Sequence, residues 1–507
     1  MAKNKTSPFV KALVAIILII CLLAALVVAF FYGILEYGKK RAIIIVPGLF
    51  ASALYDEDTG KAVWDPADDV DLWITDIINH NTPNLETIIY LFTQSRMKEE
   101  LFDHILADNG HGDGESFLQR FASMNEDGTS TYNIKPYPPD VNNRYRYGMM
   151  NAQTDICNYF EEQYGDTYDV FVFNYDFRLD NRVNGRLLQD YINEKGYDEV
   201  ILVSHSNGGL VVGSYLSLSE ENRNKVDMYL SFDSPYLGSV TALTTLENLE
   251  DMVDGISDIT DMLGNIIPEE AIQNAFHEQF LPIANMYTVY QLLPTYELFR
   301  TPQYQNYIKT YKHTPEKDVK RGFVEFKEPY FSMYNFETGK MDDYYFESDE
   351  DLYAYYCSRP WAHLNNDVND ELRAGMKDWL DYTRSYYVDT EEGEQHVTEL
   401  VDTYYFSGIG YETCYSALYK KDGDTHHCVG GEFTDQGDGT VLLYSATAGT
   451  TDFSRIVPIS FADHYDVFQY FNDFSKDETE RLMNDHMNWR HKLLLKWNKK
   501  IERKNKI

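Results

Sequence analysis

Val200-Ile-Leu-Val-Ser204-His205-Ser206-Asn207-Gly208-Gly209-Leu-Val-Val212 is the stretch whose reading decides the fold. Its first half is an unbroken apolar, largely β-branched run, the mark of a strand covered on both faces. Its second half continues as a helix after two glycines. Ser206 stands at the turn between them. A nucleophile elbow has this form, and its strained turn needs small residues two before and two after the serine, where backbones crowd. Here those residues are Ser204 and Gly208, giving S-x-S-x-G in place of the strict G-x-S-x-G. An ordinary strand-to-helix loop is the competing reading, and the motif alone does not dismiss it.

Similar buried runs lie on either side. Ala42 to Pro47, Val170 to Tyr175, Glu199 to Ser204 and Met228 to Asp233 all read as strands. Amphipathic helical patterns fall between them, one around Asp155 to Glu162 and one around Leu187 to Ile192. Buried strands alternating with helices imply βαβ units and a mostly parallel sheet, hence an α/β fold. Two long stretches interrupt this rhythm, at about 66–145 and about 240–400. Insertions of that length between core elements usually build lids and pockets.

The ends differ from the body. The chain has 507 residues and a net charge of −37. Residues 1–41 and 490–507 are basic, and without them 30 basic and 79 acidic residues remain, a net of −49. Such a body repels phosphates and argues against nucleic-acid binding. Ala12 to Leu35 is an uncharged run of 24 residues, about 36 Å as a helix and long enough for a ~30 Å hydrocarbon core. It exceeds the ~7–15 residues of a cleavable signal, and no clear cleavage site follows. The expectation is a single-pass signal anchor, with the catalytic domain (42–485) extracytoplasmic. Three positive side chains flank the run on each side, so charge does not fix the orientation. The tail 486–507 reads either as a basic amphipathic segment on an anionic bilayer or as a disordered basic tail. Cys414 and Cys428 are the one pair whose bridging the sequence leaves open.

A serine hydroxyl needs a base, and the base an orienting carboxylate. In this fold they follow the serine in the order acid, then histidine. Gln436-Gly437-Asp438-Gly439-Thr440-Val441 supplies the acid on a tight loop, with Asp435 its nearest competitor. Ile456 to Phe461 reads as a last strand, and Ala462-Asp463-His464 follows it. His464 is therefore the candidate base. His426 and His427 precede the acid, and His486 lies beyond the next helix. Oxyanion donors are expected from the backbone of Asn207 and from the turn Pro47-Gly48-Leu49-Phe50, with Leu49 preferred to Phe50 and Gly48 making the turn.

Together these pieces resemble the lecithin:cholesterol acyltransferase family, which includes lysosomal phospholipases and phospholipid:diacylglycerol acyltransferases. The resemblance runs through Ile45-Val-Pro-Gly-Leu49 with Trp64, Tyr175-Asp176-Phe177-Arg178-Leu179, the Ser206 elbow and Ser234-Pro235-Tyr236-Leu237-Gly238-Ser239. It continues through Gly408-Ile409-Gly410 with Thr413, the Asp438 loop and His464, spanning about residues 43–483. It implies an α/β-hydrolase fold and a Ser206-Asp438-His464 triad, with Leu49 and Asn207 at the oxyanion. Asp176 and Arg178 then brace the site. It also implies a glycerolipid or phospholipid acyl donor, water or an alcohol as acceptor, and no cofactor or metal. Phe177 stands where the family has Trp, and the insertions do not match by eye. A general carboxylesterase and a catalytically silent binding protein of the same fold are the other readings.

Overall fold

The computed structural model describes residues 39–64, 124–138, 151–247, 286–300, 330–359 and 376–486, apart from 61, 126–127, 336–339, 346–347, 377, 392, 423–424, 465 and 470–472. Six parallel strands form its centre: β1 (Arg41–Val46), β2 (Asp169–Val172), β3 (Glu199–His205), β4 (Val226–Phe232), β5 (Thr403–Ile409) and β6 (Ile456–Ser460). Their spatial order is β6-β5-β4-β3-β1-β2. The order reverses between β1 and β3. In an open α/β sheet, ligands bind at the carboxyl ends of the strands beside such a reversal. The chain segments leaving β1 and β3 there are Pro47 to Phe50 and Ser206.

Alternation along β1 explains why the sheet carries helices on both faces. Ala42, Ile44 and Val46 join a core with Leu188, Ile192, Leu210 and Leu216, from helices α1 (Asn181–Lys195) and α2 (Asn207–Leu218). Ile43 and Ile45 face the other way. They join Ile156 and Phe160 of the helix Asn151–Tyr164, and Val467, Phe468, Leu482 and Met483 after β6. Ala42 to Val46 are all fully buried, which is why the run is apolar without alternation.

The five expected strands are present, and the helices Asn151–Tyr164 and Asn181–Lys195 cover the two expected patterns, with ends shifted by up to six residues. The run from Val170 closes as a strand at Val172, and Phe173 to Asp176 continue as buried loop. Within the second long stretch lie a strand, Lys340–Tyr345, and a helix, Asp349–Cys357. That strand edges a four-stranded sheet completed by Tyr330–Asn335 and the hairpin Thr413–Asp422 with Thr425–Thr434. Cys414 faces Phe433 in the hairpin, and Cys428 faces Tyr419. The two cysteines are out of register and are thiols, not a bridge to one another.

Among the described residues no helix is long and apolar enough to cross a membrane. The anchor expected at 12–35 lies outside them. So do the tail from 487, most of the stretch at about 66–145 and much of that at about 240–400.

Candidate active site

Strand β3 ends at His205 and α2 begins at Asn207, so Ser206 alone makes the turn. Its backbone sits at φ 51° and ψ −128°, a conformation that costs a non-glycine residue about 1–3 kcal/mol. The Ser206 N–H donates to the Phe232 carbonyl at 2.9 Å, tying the elbow to the end of β4. Gly208 is small of necessity, because a Cβ there would stand 2.2 Å from the Val46 carbonyl oxygen. At the other small position Ser204 has a use for its hydroxyl, which lies 2.6 Å from the Tyr229 hydroxyl. The departure from glycine thus adds a hydrogen bond beneath the turn.

His464 and Asp438 converge on this serine from the far end of the chain. The His464 Nε2 lies 2.9 Å from the Ser206 Oγ, and its Nδ1 lies 2.6 Å from the Asp438 Oδ2. A carboxylate only accepts, so Nδ1 carries the hydrogen and Nε2 presents a lone pair to the serine. Asp438 is fully buried. Its Oδ1 accepts the N–H groups of Thr440 at 2.8 Å and Val441 at 2.6 Å. Gly439 permits this curl at φ 93°, and its N–H donates to Thr413 Oγ1 at 2.8 Å. The His464 N–H donates to the Asp438 carbonyl at 2.9 Å, so acid and base are joined by backbone as well as side chain. Asp435 is occupied elsewhere: its carbonyl accepts from Gly410 N–H and its side chain from Gln436 Nε2.

Two further residues meet this constellation without having stood out in the sequence. His205 donates from Nε2 to the His464 carbonyl at 2.8 Å, and its ring stacks on Phe468 at 4.9 Å. Burial, then the neighbouring His464, push its pKa down to about 3. His205 is therefore a neutral strut for the loop that carries His464. It occupies an unconstrained position of the elbow pattern, and its partner is 259 residues away. Asp233 directly follows β4 and is fully buried, with φ 43°. Burial, then the charge of Asp438, raise its carboxyl well above the usual range. An Asp closing an apolar strand is the only signal the sequence offered for it. Carboxylate oxygens of Asp233 and Asp438 and a ring nitrogen of His464 lie within 4.8 Å of one another. A cation there would have to displace the hydrogen from the His464 Nδ1.

Leu49 and Asn207 stand on adjacent chain segments. A Cβ on Gly48 would lie 3.1 Å from the Ser206 Cβ, so the turn after β1 presses directly on the elbow. Asn207 opens α2, where the first N–H groups have no acceptor within the helix. One phenol ties the two segments together. Tyr175 donates to the Pro47 carbonyl at 2.8 Å and accepts from Asn207 Nδ2 at 3.1 Å. The Asn207 Oδ1 in turn accepts from Asn181 and Thr288, each at 3.1 Å. Tyr175→Phe leaves a buried carbonyl and amide with lost partners, at a cost of about 1–3 kcal/mol. We expect kcat on an ester to fall about tenfold with KM nearly unchanged. A KM effect with kcat intact would remove Tyr175 from the oxyanion scaffold.

Asp176 and Arg178 do not reach the serine. They pair with each other in the interior, Nη2 to Oδ2 at 2.6 Å and Nε to Oδ1 at 2.8 Å. Asn184 Nδ2 then donates to the Asp176 carbonyl at 2.9 Å. These contacts fix the loop after β2. Phe177 between them is fully buried and meets Phe50 edge-on at 5.1 Å.

The family model described as lecithin:cholesterol acyltransferase matches residues 158–450. That is more than half of the chain. The chain belongs to the lecithin:cholesterol acyltransferase family. The matched span holds Ser206 and Asp438, while Leu49 and His464 lie outside it. The lecithin:cholesterol acyltransferase family carries acyltransferase or lipase-type activity on lipids. No curated protein sequence matches the chain. Among solved structures it is similar to a chain of the "Tle4-Tli4 complex", at 15% identity and a TM-score of 0.44, over 87% of this chain and 96% of that one.

Acid should weaken the fold through its buried histidines. His396 is buried, its Nδ1 lies 2.6 Å from Thr398 Oγ1, and burial lowers its pKa to about 3, like that of His205. Unfolded, both titrate near 6.5. Below that pH the unfolded chain binds protons that the folded chain refuses. Their contribution to stability is complete above pH 6.5 and is lost as pH falls toward 3. Urea unfolding between pH 6.5 and about 5 should show this slope, offset in part by Asp233, whose raised carboxyl binds a proton in the folded chain and acts with the opposite sign. His396→Gln should lower the slope by about one proton, and an unchanged slope would refute the assignment.

Proposed function

We propose that the chain is a membrane-anchored serine acyltransferase or lipase that acts on ester-linked acyl chains of glycerolipids or phospholipids. The hydrogen-bonded line Ser206–His464–Asp438 at the carboxyl edge of the sheet is the observation that carries this reading. In this mechanism His464 Nε2 takes the Ser206 proton as Oγ attacks the ester carbonyl. The N–H groups of Leu49 and Asn207 hold the developing oxyanion, helped by the positive end of α2. Asp438 keeps the ring oriented and stabilises the imidazolium. His464 then gives its proton to the departing alcohol, leaving an acyl-Ser206 ester. Water or an acceptor alcohol, deprotonated by His464, attacks that ester and frees Ser206.

The apolar run 12–35 supports a single-pass anchor, and the basic ends suit an anionic bilayer surface. The insertions at about 66–145 and 240–400 would shape the acyl pocket and govern water access. Mass spectrometry of lipids after incubation with mixed bilayers tests the whole. A new ester identifies a transferase, and free fatty acid a lipase. No change in any lipid, with turnover confined to short soluble esters, would replace the lipid reading with a general carboxylesterase.

A further inference from the structure

We propose that Asp233 is a positioning residue that keeps its proton and donates it as a hydrogen bond to Asp438, making the line Ser206–His464–Asp438 four members long. The proposal rests on the serine-enzyme reading above. Both carboxyl groups are fully buried, and their oxygens lie within 4.8 Å of each other and of a His464 ring nitrogen. Among the described residues neither carboxyl forms an ion pair with Lys or Arg. The titratable groups around them are His464 on the loop after β6 and the neutral His205 at the end of β3. Asp435 and Asp463 are near in sequence on the two loops. Two carboxylates so placed, out of water and without a cation, share one proton.

The hydrogen bonds say which carboxyl holds it. Asp438 accepts from three N–H groups, those of Thr440, Val441 and His464. Three donors favour the charged form. Asp233 accepts from the Ser407 hydroxyl at 2.8 Å and shares the Gly408 N–H, at 3.0 Å and 3.1 Å. A carboxyl with fewer donors, equally sealed from water, is the better place for the proton. The arrangement has a chemical purpose. A second anion behind Asp438 would stabilise the imidazolium of His464 and so hold it protonated, unable to accept from Ser206. A neutral donor fixes the carboxylate without adding that charge.

Asp233→Asn is the decisive variant. Asn tolerates the left-handed backbone as Asp does. Its amide donates to Asp438 while its carbonyl accepts from Gly408, copying a protonated acid. Infrared spectroscopy of the full chain at mildly alkaline pH should show a protonated-carboxyl band that this variant lacks. Its kcat/KM on a nitrophenyl ester should stay within about threefold of wild type, with the acid limb of the pH profile unmoved. Asp233→Ala, which cannot donate, should lose about tenfold in kcat, a loss that Asn rescues. An ionised Asp233 predicts the opposite signs. The wild-type band would be absent, and Asp233→Asn would move the acid limb down by about one pH unit as His464 loses a stabilising charge. Either result overturns the proposal, as does Ala performing as well as Asn. Should the wild type cleave no ester at all, the serine-enzyme reading fails, and the infrared band still decides where the proton is.

Discussion

Ser206→Ala is expected to lower kcat for ester cleavage by about 10⁴–10⁶-fold and to abolish labelling by a fluorophosphonate probe. The alanine keeps the small size that the elbow demands, so the loss is chemical and not structural. What it removes is the only oxygen within reach of the His464 Nε2 among the described side-chain contacts, at 2.9 Å. Residual turnover above the water rate would come from the oxyanion donors and from binding. The backbone strain at φ 51° is unchanged, because whichever residue sits there carries it, and alanine loses no side-chain hydrogen bond except the one to histidine. Thermal unfolding within a few degrees of wild type would show that the fold survives. Full-strength labelling of the variant would remove Ser206 from the mechanism altogether.

Asp438→Asn should cost about 10⁴-fold in kcat, nearly as much, by a different route. The Asp438 Oδ2 at 2.6 Å from Nδ1 fixes which ring nitrogen carries hydrogen. An amide nitrogen placed there repels the Nδ1–H and favours the other tautomer, whose Nε2–H has nothing to offer a serine proton. The variant should recover rate as pH rises, because hydroxide can replace the missing base. Combining it with Ser206→Ala should add almost nothing to the serine variant alone, since the residues act as one unit. Fully additive losses would mean that Asp438 serves stability, not the reacting serine. Its side chain does have a structural duty: the Oδ1 organises the Thr440 and Val441 N–H groups, and Asn retains an oxygen for that.

The sequence revealed what depends on local pattern. Continuous β-branched runs gave β1 and β3, and the S-x-S-x-G turn gave Ser206. Chain order, with the glycines around Asp438 and the strand before His464, picked out the two side chains that line up with Ser206. Contacts between distant segments left no such trace. The His205–His464 hydrogen bond, the Asp233–Ser407 hydrogen bond and the Tyr175–Pro47 tie each join residues far apart in sequence. No periodicity marks a residue whose role is to hold another residue. The motif's own departure shows the same limit. Ser204 looks like a flaw in the elbow until Tyr229, 25 residues later, is seen beside it.

The base reaches its serine across 258 residues, and it comes from the loop after the last strand of the sheet. A chain made from its amino terminus therefore carries Ser206 long before it carries His464. On the proposed mechanism, Ser206 is without its base through most of synthesis. On that mechanism the base arrives with docking of β6 against β5, which adds the edge strand of the sheet. Ester cleavage would then report complete assembly, and a product cut short before β6 would lack His464.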